Sequence, residues 1–354
     1  MWQSMTDSVT QTERAKKRMD IYFAPMEGIT GYVFRNAHHQ FYGSIAQYFT
    51  PFIAPSRSRR MTARELQDIL PDHNQGINVV PQLLTNRAED FIWAAERIRE
   101  FGYTEVNLNL GCPSGTVVSK YRGSGFLALR EELDRFLEEV SSSMQKLGLS
   151  FSVKTRIGKE KPEEFQELLQ IFNRYPLEKL IIHPRVQTDF YKNRPNWEVF
   201  RKAEEDSRNP LCYNGDIFSG DSYRTFAETF PQVKAVMLGR GLLQNPALAE
   251  EICSKKESGR SRMGIAKVRT NTEDSERQRL RCFHDAVLAG YQEAIPGDRN
   301  VLFKMKELWS YLGVRFEGGE RLLKRLKKAG RMEEYKAVAG QLFEDCALTG
   351  EESG

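Results

Sequence analysis

Residues 104–126 read Thr-Glu-Val-Asn-Leu-Asn-Leu-Gly-Cys-Pro-Ser-Gly-Thr-Val-Val-Ser-Lys-Tyr-Arg-Gly-Ser-Gly-Phe. Thr104 to Leu110 alternates apolar and polar side chains, the period of a strand. A Gly-Cys-Pro turn follows, then a loop of glycines, small polar residues and two cations, Lys120 and Arg122. The stretch predicts a thiol, Cys112, presented on a mobile loop at the carboxyl end of a strand. A free cysteine is often only a small buried hydrophobe, so its meaning depends on the elements around it.

Working outward, the same alternation of strand and helix recurs. β-rich runs occur at Ile21–Ala24, Ser44–Phe49, Ile77–Gln82, Thr104–Leu110, Phe151–Thr155, Lys179–His183, Leu211–Tyr213 and Lys234–Leu238. Helical patterns with apolar residues three and four apart lie between them, as at Arg87–Phe101, Glu132–Leu147 and Glu163–Tyr175. Eight strands alternating with helices predict an α/β protein built on a (β/α)8 TIM barrel. A dinucleotide-binding sheet would need Gly-x-Gly-x-x-Gly after a strand. The nearest candidate, Gly239-Arg240-Gly241-Leu242-Leu243-Gln244, lacks the third glycine.

The expected layout is a disordered extension or expression remnant over 1–20, a barrel over 21–253, a charged linker over 254–275, and a small all-helical C-terminal domain over 276–354. With 354 residues, 40% of them hydrophobic, one large core and an appendage are feasible. No run approaches the roughly 18–20 apolar residues of a membrane span, and no secretory signal is visible, so a cytoplasmic, membrane-free protein is expected. Five scattered cysteines form no Cys-x-x-Cys pair and no Cys/His cluster, which predicts neither disulfides nor a metal site. A monomer is expected.

In a barrel of this type the chemistry sits at the carboxyl ends of the strands. Those ends read Pro25-Met26-Glu27-Gly28, Thr50-Pro51, Gln82, Asn109 with Cys112, Lys154 with Arg156, His183, Asn214-Gly215-Asp216 and Gly239-Arg240. A flavin mononucleotide suits this set. Gln82, Asn109 and Lys154 could bind the ring edge, while Asn214, Gly215, Asp216, Gly239 and Arg240 could hold ribityl and phosphate, near the usual phosphate site of such barrels. Two plainer readings stay open: Lys154 as a salt-bridged barrel lysine and His183 as a satisfied core histidine.

Five motifs in register, Ala24-Pro25-Met26-Glu27-Gly28-Ile29-Thr30, Asn109-Leu110-Gly111-Cys112-Pro113, Val153-Lys154-Thr155-Arg156, Asn214-Gly215-Asp216-Ile217 and Leu238-Gly239-Arg240-Gly241, resemble the signatures of the tRNA-dihydrouridine synthases. The resemblance spans nearly the whole chain after residue 20, the helical tail included. It implies bound FMN contacted by Pro25, Met26, Glu27, Lys154 and His183, reduction by NADPH, hydride transfer to uracil C6, and protonation of C5 by Cys112. It also implies that Asn109 holds the uracil and that Arg156 lies near the target nucleotide. The chain departs from the family pattern at His183-Pro184-Arg185-Val186, where a hydroxyl is expected at 186; His183 therefore ranks behind Lys154 as a flavin contact.

The tail carries the charge expected of an RNA partner. From Arg299 to Lys336 there are eleven Lys or Arg against five acids, a net +6, where the whole chain carries only +4. Such cations give salt-dependent, sequence-independent affinity for phosphates. Lys120, Arg122 and Arg156 are expected around the opening, with Phe34-Arg35 and Tyr191-Lys192 as weaker rim candidates. The favoured substrate is tRNA. Ribosomal RNA, a small-molecule flavin oxidoreductase resembling dihydroorotate dehydrogenases or ene-reductases, and an RNA-binding protein without catalysis are the competing readings.

Overall fold

The computed structural model describes residues 19–254 and 273–349. Nine strand segments run in parallel: β1 Asp20–Phe23, β2 Gln47–Phe49, β3 Val79–Val80, β4 Gln82–Leu83, β5 Glu105–Leu110, β6 Ser150–Arg156, β7 Leu180–His183, β8 Leu211–Asn214 and β9 Ala235–Leu238. Their order is β3-β2-β1-β9-β8-β7-β6-β5-β4. β3 and β4 are two halves of one stave, separated by Pro81, which has no N–H to donate to a ladder. β3 pairs with β2 and β4 with β5, and the Pro81 carbonyl accepts the Asn107 N–H at 2.9 Å. The nine segments thus form the eight staves of the predicted barrel.

The period-two alternation decides what faces the lumen. From β1, Ile21 and Phe23 point outward into the large core between strands and helices, whereas Tyr22 and Ala24 join Phe49, Val80, Ile181, Cys212, Ala235 and Met237 in a separate cluster. That apolar cluster fills one side of the lumen. β5 and β6 line the other side with Glu105, Asn107, Asn109, Ser152, Lys154 and Arg156.

After the barrel come helices Glu273–Ala294, Asp298–Leu312, Glu320–Lys328 and Met332–Asp345. The first packs along the barrel's first helix, Tyr32–Phe41. Phe283 meets Phe34 edge-on at 5.6 Å between centroids, and the Tyr291 hydroxyl donates to the Ile29 carbonyl at 3.1 Å. Arg279 donates to the Phe41 carbonyl at 2.6 Å and to Glu250 at 2.8 Å. One continuous apolar core runs through barrel and helices.

The expected extension over 1–20 lies outside the described residues except for its end, where Met19 is buried and Asp20 already pairs with Ala235 in β1 and β9. Most of the expected charged linker, residues 255–272, also lies outside them. Among the described residues, no helix is long and apolar enough to cross a membrane.

Candidate active site

At the carboxyl ends of the strands lies a pocket open to solvent. Its lining includes Pro25, Met26, Glu27, Gln82, Asn109, Cys112, Lys154, Arg156, His183, Asn214, Gly215, Asp216, Gly239 and Arg240. Fourteen separately read residues, drawn from seven of the eight staves, therefore converge on one space, while Thr50 and Pro51 after β2 do not line it.

Asn109 and Gln82 are held by a chain of hydrogen bonds that runs down the lumen. Asn109 Oδ1 accepts the N–H groups of Gly111 at 3.0 Å and Cys112 at 2.9 Å, so the side chain that ends β5 also shapes the cysteine turn. Its Nδ2 donates to Gln82 Oε1 at 2.7 Å, Gln82 Nε2 to Asn107 Oδ1 at 2.7 Å, and Asn107 Nδ2 to the Ser152 hydroxyl at 2.9 Å. Ser152 then donates to Glu105 at 2.6 Å, and Glu105 is ion-paired with Lys179 at 2.6 Å. Backbone donors at one end and a carboxylate at the other fix the direction of every link.

The cysteine loop is pinned, in contrast to the expected mobile segment. Its residues form a short helix, Gly115–Val118, and a 3-10 turn, Gly123–Ala128. Ser124 donates to the Cys112 carbonyl through both its N–H, at 3.1 Å, and its hydroxyl, at 2.8 Å. Gly123 has φ +55°, and a Cβ there would stand 2.8 Å from the Cys112 carbonyl oxygen, so the loop closes only with glycine. Cys112 itself is half-buried, and burial pushes its thiol pKa upward despite a hydrogen bond from the Ser114 backbone and the nearby cations.

Cations dominate the wall that begins on the neighbouring strand β6, where Lys154 pairs with Asn109. Lys154 has no hydrogen-bond or ion-pair partner among the described residues, and burial, then the charge of Arg156, lowers its pKa to about 8. Arg156 is buried and donates to the carbonyls of Gly111 at 3.0 Å, Val186 at 2.8 Å and Phe190 at 2.8 Å. It ties the cysteine turn to the loop after β7 and offers the cavity mainly its charge. Asp216 is engaged by two arginines, Arg185 at 2.5 Å and Arg240 at 2.6 Å. Tyr191 lies over the Arg240 guanidinium at 4.4 Å, with Phe218 at 5.2 Å. Burial drives the His183 pKa well below its usual value, and the surrounding Arg156, Lys154, Arg185 and Arg240 add to the effect.

Three expected rim residues lie elsewhere. Arg35 is a correction: it is 1% exposed and donates to the carbonyls of Thr30 at 2.9 Å and Asp68 at 2.6 Å and to Asn74 at 2.8 Å. Its guanidinium knits the first barrel helix to the segment after it and reaches no solvent. Lys120 is exposed on the cysteine loop and Arg122 half-buried beside it, and neither lines the cavity. Conversely, Arg185 and Asn107 were missed. A single arginine after His-Pro looks like any loop cation, and Asn107 is visible only as an inward-parity polar residue in an apolar strand. Among the described residues no cluster of side chains is arranged to hold a metal ion.

The dihydrouridine synthase family matches residues 22–289 of this sequence. The chain belongs to that family. It is similar to the tRNA-dihydrouridine(16) synthases of Neisseria meningitidis, at 26% identity over 70% of this chain and 75% of the relative, and of Pseudomonas putida, at 27% over 68% and 75%. It also resembles the tRNA-dihydrouridine synthase B of Pasteurella multocida, at 25% over 64% and 67%. As a member of the family it is an oxidoreductase.

Proposed function

We propose that this protein reduces the C5–C6 double bond of a uridine in tRNA to give dihydrouridine, using FMN in the barrel cavity and NADPH as the reductant. The observation that carries the reading is Lys154. A cation at the floor of a cavity with no acidic partner is costly, and it is accounted for if an electron-rich ring occupies the space. The residues suit FMN in other respects. Gln82 and Asn109 present amides at one edge, and Arg240 and the backbone of Gly215 and Gly239 line the region suited to a phosphate.

When bound, FMN supplies the hydride for C6. The chain's own residues do the rest. Asn109, both of whose Oδ1 acceptor sites are taken by backbone N–H groups, has one free N–H for a uracil carbonyl. Cys112, held as a neutral thiol by partial burial, delivers its proton to C5, as a general acid whose pKa lies above the working pH can. Lys154 and Arg156 keep positive charge beside the electron-rich reactants. The aromatic Tyr191 and Phe218 at the rim offer faces for a base withdrawn from its stack.

The helical region is proposed as the RNA-binding domain. On helix Glu320–Lys328, Arg321, Lys324, Arg325, Lys327 and Lys328 are exposed while Leu326 is buried, an arrangement that docks one face and offers the other to phosphates. Cytoplasmic location and a monomeric state complete the proposal. The test is to incubate the purified protein with FMN, NADPH and unmodified tRNA or rRNA transcripts, and to map dihydrouridine. Product in tRNA alone is expected. Failure to bind FMN, or activity on free uracil with none on RNA, would overturn it.

A further inference from the structure

Arg185 belongs to none of the groups placed above at the flavin or the uracil, yet its donors are all directed. Nε donates to the Asn193 carbonyl at 2.5 Å, Nη2 to Asp216 Oδ2 at 2.5 Å, and Nη1 to Asp216 Oδ1 at 2.9 Å. Nη1 also lies 3.0 Å from His183 Nε2. The bidentate grip of Asp216 fixes the plane of the guanidinium, and Asp216 is steadied in turn by Arg240 at 2.6 Å. Arg185 is thus held rigidly against one nitrogen of His183.

A guanidinium carries only donors and keeps its proton in proteins. A hydrogen bond between Arg185 and His183 therefore requires a lone pair on Nε2. In a neutral imidazole the proton must then be on Nδ1. The alternatives place an N–H against an N–H: both the Nε2–H tautomer and the imidazolium would point a donor at Arg185.

We propose that Arg185, anchored by Asp216, is a positioning residue that holds His183 as the neutral Nδ1–H tautomer, so that His183 meets a bound group as a hydrogen-bond donor. The proposal rests on the reading that the cavity receives FMN and uridine, and it names their acceptor atoms, ring nitrogens or carbonyl oxygens, as what His183 touches. It also excludes His183 as a proton-accepting base, leaving Cys112 as the proton-handling group of the site. Burial of the ring disfavours the imidazolium, and the surrounding cations Arg156, Lys154, Arg185 and Arg240 add to the effect.

The tautomer can be read directly by long-range 15N–1H NMR on protein labelled at histidine nitrogens, with His183 identified by the signals lost in His183→Gln. Between pH 6 and 8 the expected pattern is a protonated Nδ1 and a bare Nε2. Arg185→Met should convert most of the population to the Nε2–H form, and Asp216→Asn, which loosens Arg185 without removing it, should give a mixture. A general loosening of the fold would broaden many resonances and would not exchange the two nitrogens of one ring. A protonated Nε2 in the unsubstituted protein, or a folded Arg185→Met variant that keeps Nδ1–H, would overturn the proposal. Adding FMN separates this from the wider reading. If FMN binds, the Nδ1 proton should shift. If FMN fails to bind but the tautomer pattern is present, the flavin reading falls and the role of Arg185 stands.

Discussion

The two ends of the barrel each hold one inward-facing lysine, and the lysines live differently. At the closed end Lys179 is paired with Glu105 at 2.6 Å, donates to Gln47 Oε1 at 2.9 Å, and lies over the Tyr22 ring at 5.4 Å. At the mouth Lys154 has neither an acid nor a hydrogen-bond partner among the described residues, and its pKa falls to about 8. The same side chain is thus a finished structural contact in one place and an unfinished one in the other. The difference separates what holds the barrel together from what awaits a ligand.

The largest effect should come from the mouth. Cys112→Ala should lower dihydrouridine formation by about 10²- to 10⁴-fold, the usual worth of a general acid, with FMN affinity unchanged by titration of the flavin absorbance. At the closed end, Lys179→Met strands the Glu105 carboxylate in the lumen. A loss of about 3–5 kcal/mol in denaturant unfolding is expected, and a neutral result would show that the pair is not structural. In the helical region, Arg321→Gln, Lys324→Gln and Lys328→Gln together should weaken RNA binding and flatten the slope of log K against log salt by about 2 to 3.

The smallest effect sharpens the comparison most. Lys154→Met should weaken FMN binding yet stabilise the FMN-free protein by on the order of 1 kcal/mol at neutral pH, because burial opposes the ammonium. The sign can be checked against pH. The unfolded chain keeps the Lys154 proton up to about 10.5, whereas the folded chain releases it near 8. Raising the pH from 8 to 10.5 should therefore stabilise the unsubstituted protein relative to Lys154→Met. If the two stability curves run parallel, Lys154 has a partner after all.

Much of this was legible in the sequence because strand parity is a strict code. The eight staves, and the convergence of Gln82, Asn109, Cys112, Lys154 and His183, follow from where apolar alternation stops. Arg35 was misplaced for an equally physical reason. Its neighbours Val33, Phe34 and Ala37 mark a buried helix face, but nothing local reveals that Asp68, Asn74 and the Thr30 carbonyl, distant in sequence or hidden in backbone, will close around it. The break at Pro81 is one residue inside an otherwise β-rich run, and its carbonyl still serves the ladder, so composition alone hides the divided stave. Arg185 escaped because its meaning lies in a bond to His183 two positions back across a turn.

Gly290 sits where the helix Glu273–Ala294 crosses the barrel's first helix, and a Cβ there would come within 2.7 Å of Val33 Cγ1. The missing methyl group sets how closely this helix packs on the barrel's first helix, and with it where the helical region sits against the barrel. A rigid, folded RNA gripped at its phosphates by the basic helices would deliver whichever nucleotide that placement aligns with the mouth. In the proposed function this crossing would work as a ruler: widening it by one carbon would slide the measured length, and the choice of uridine would change with no alteration to any residue that touches the base.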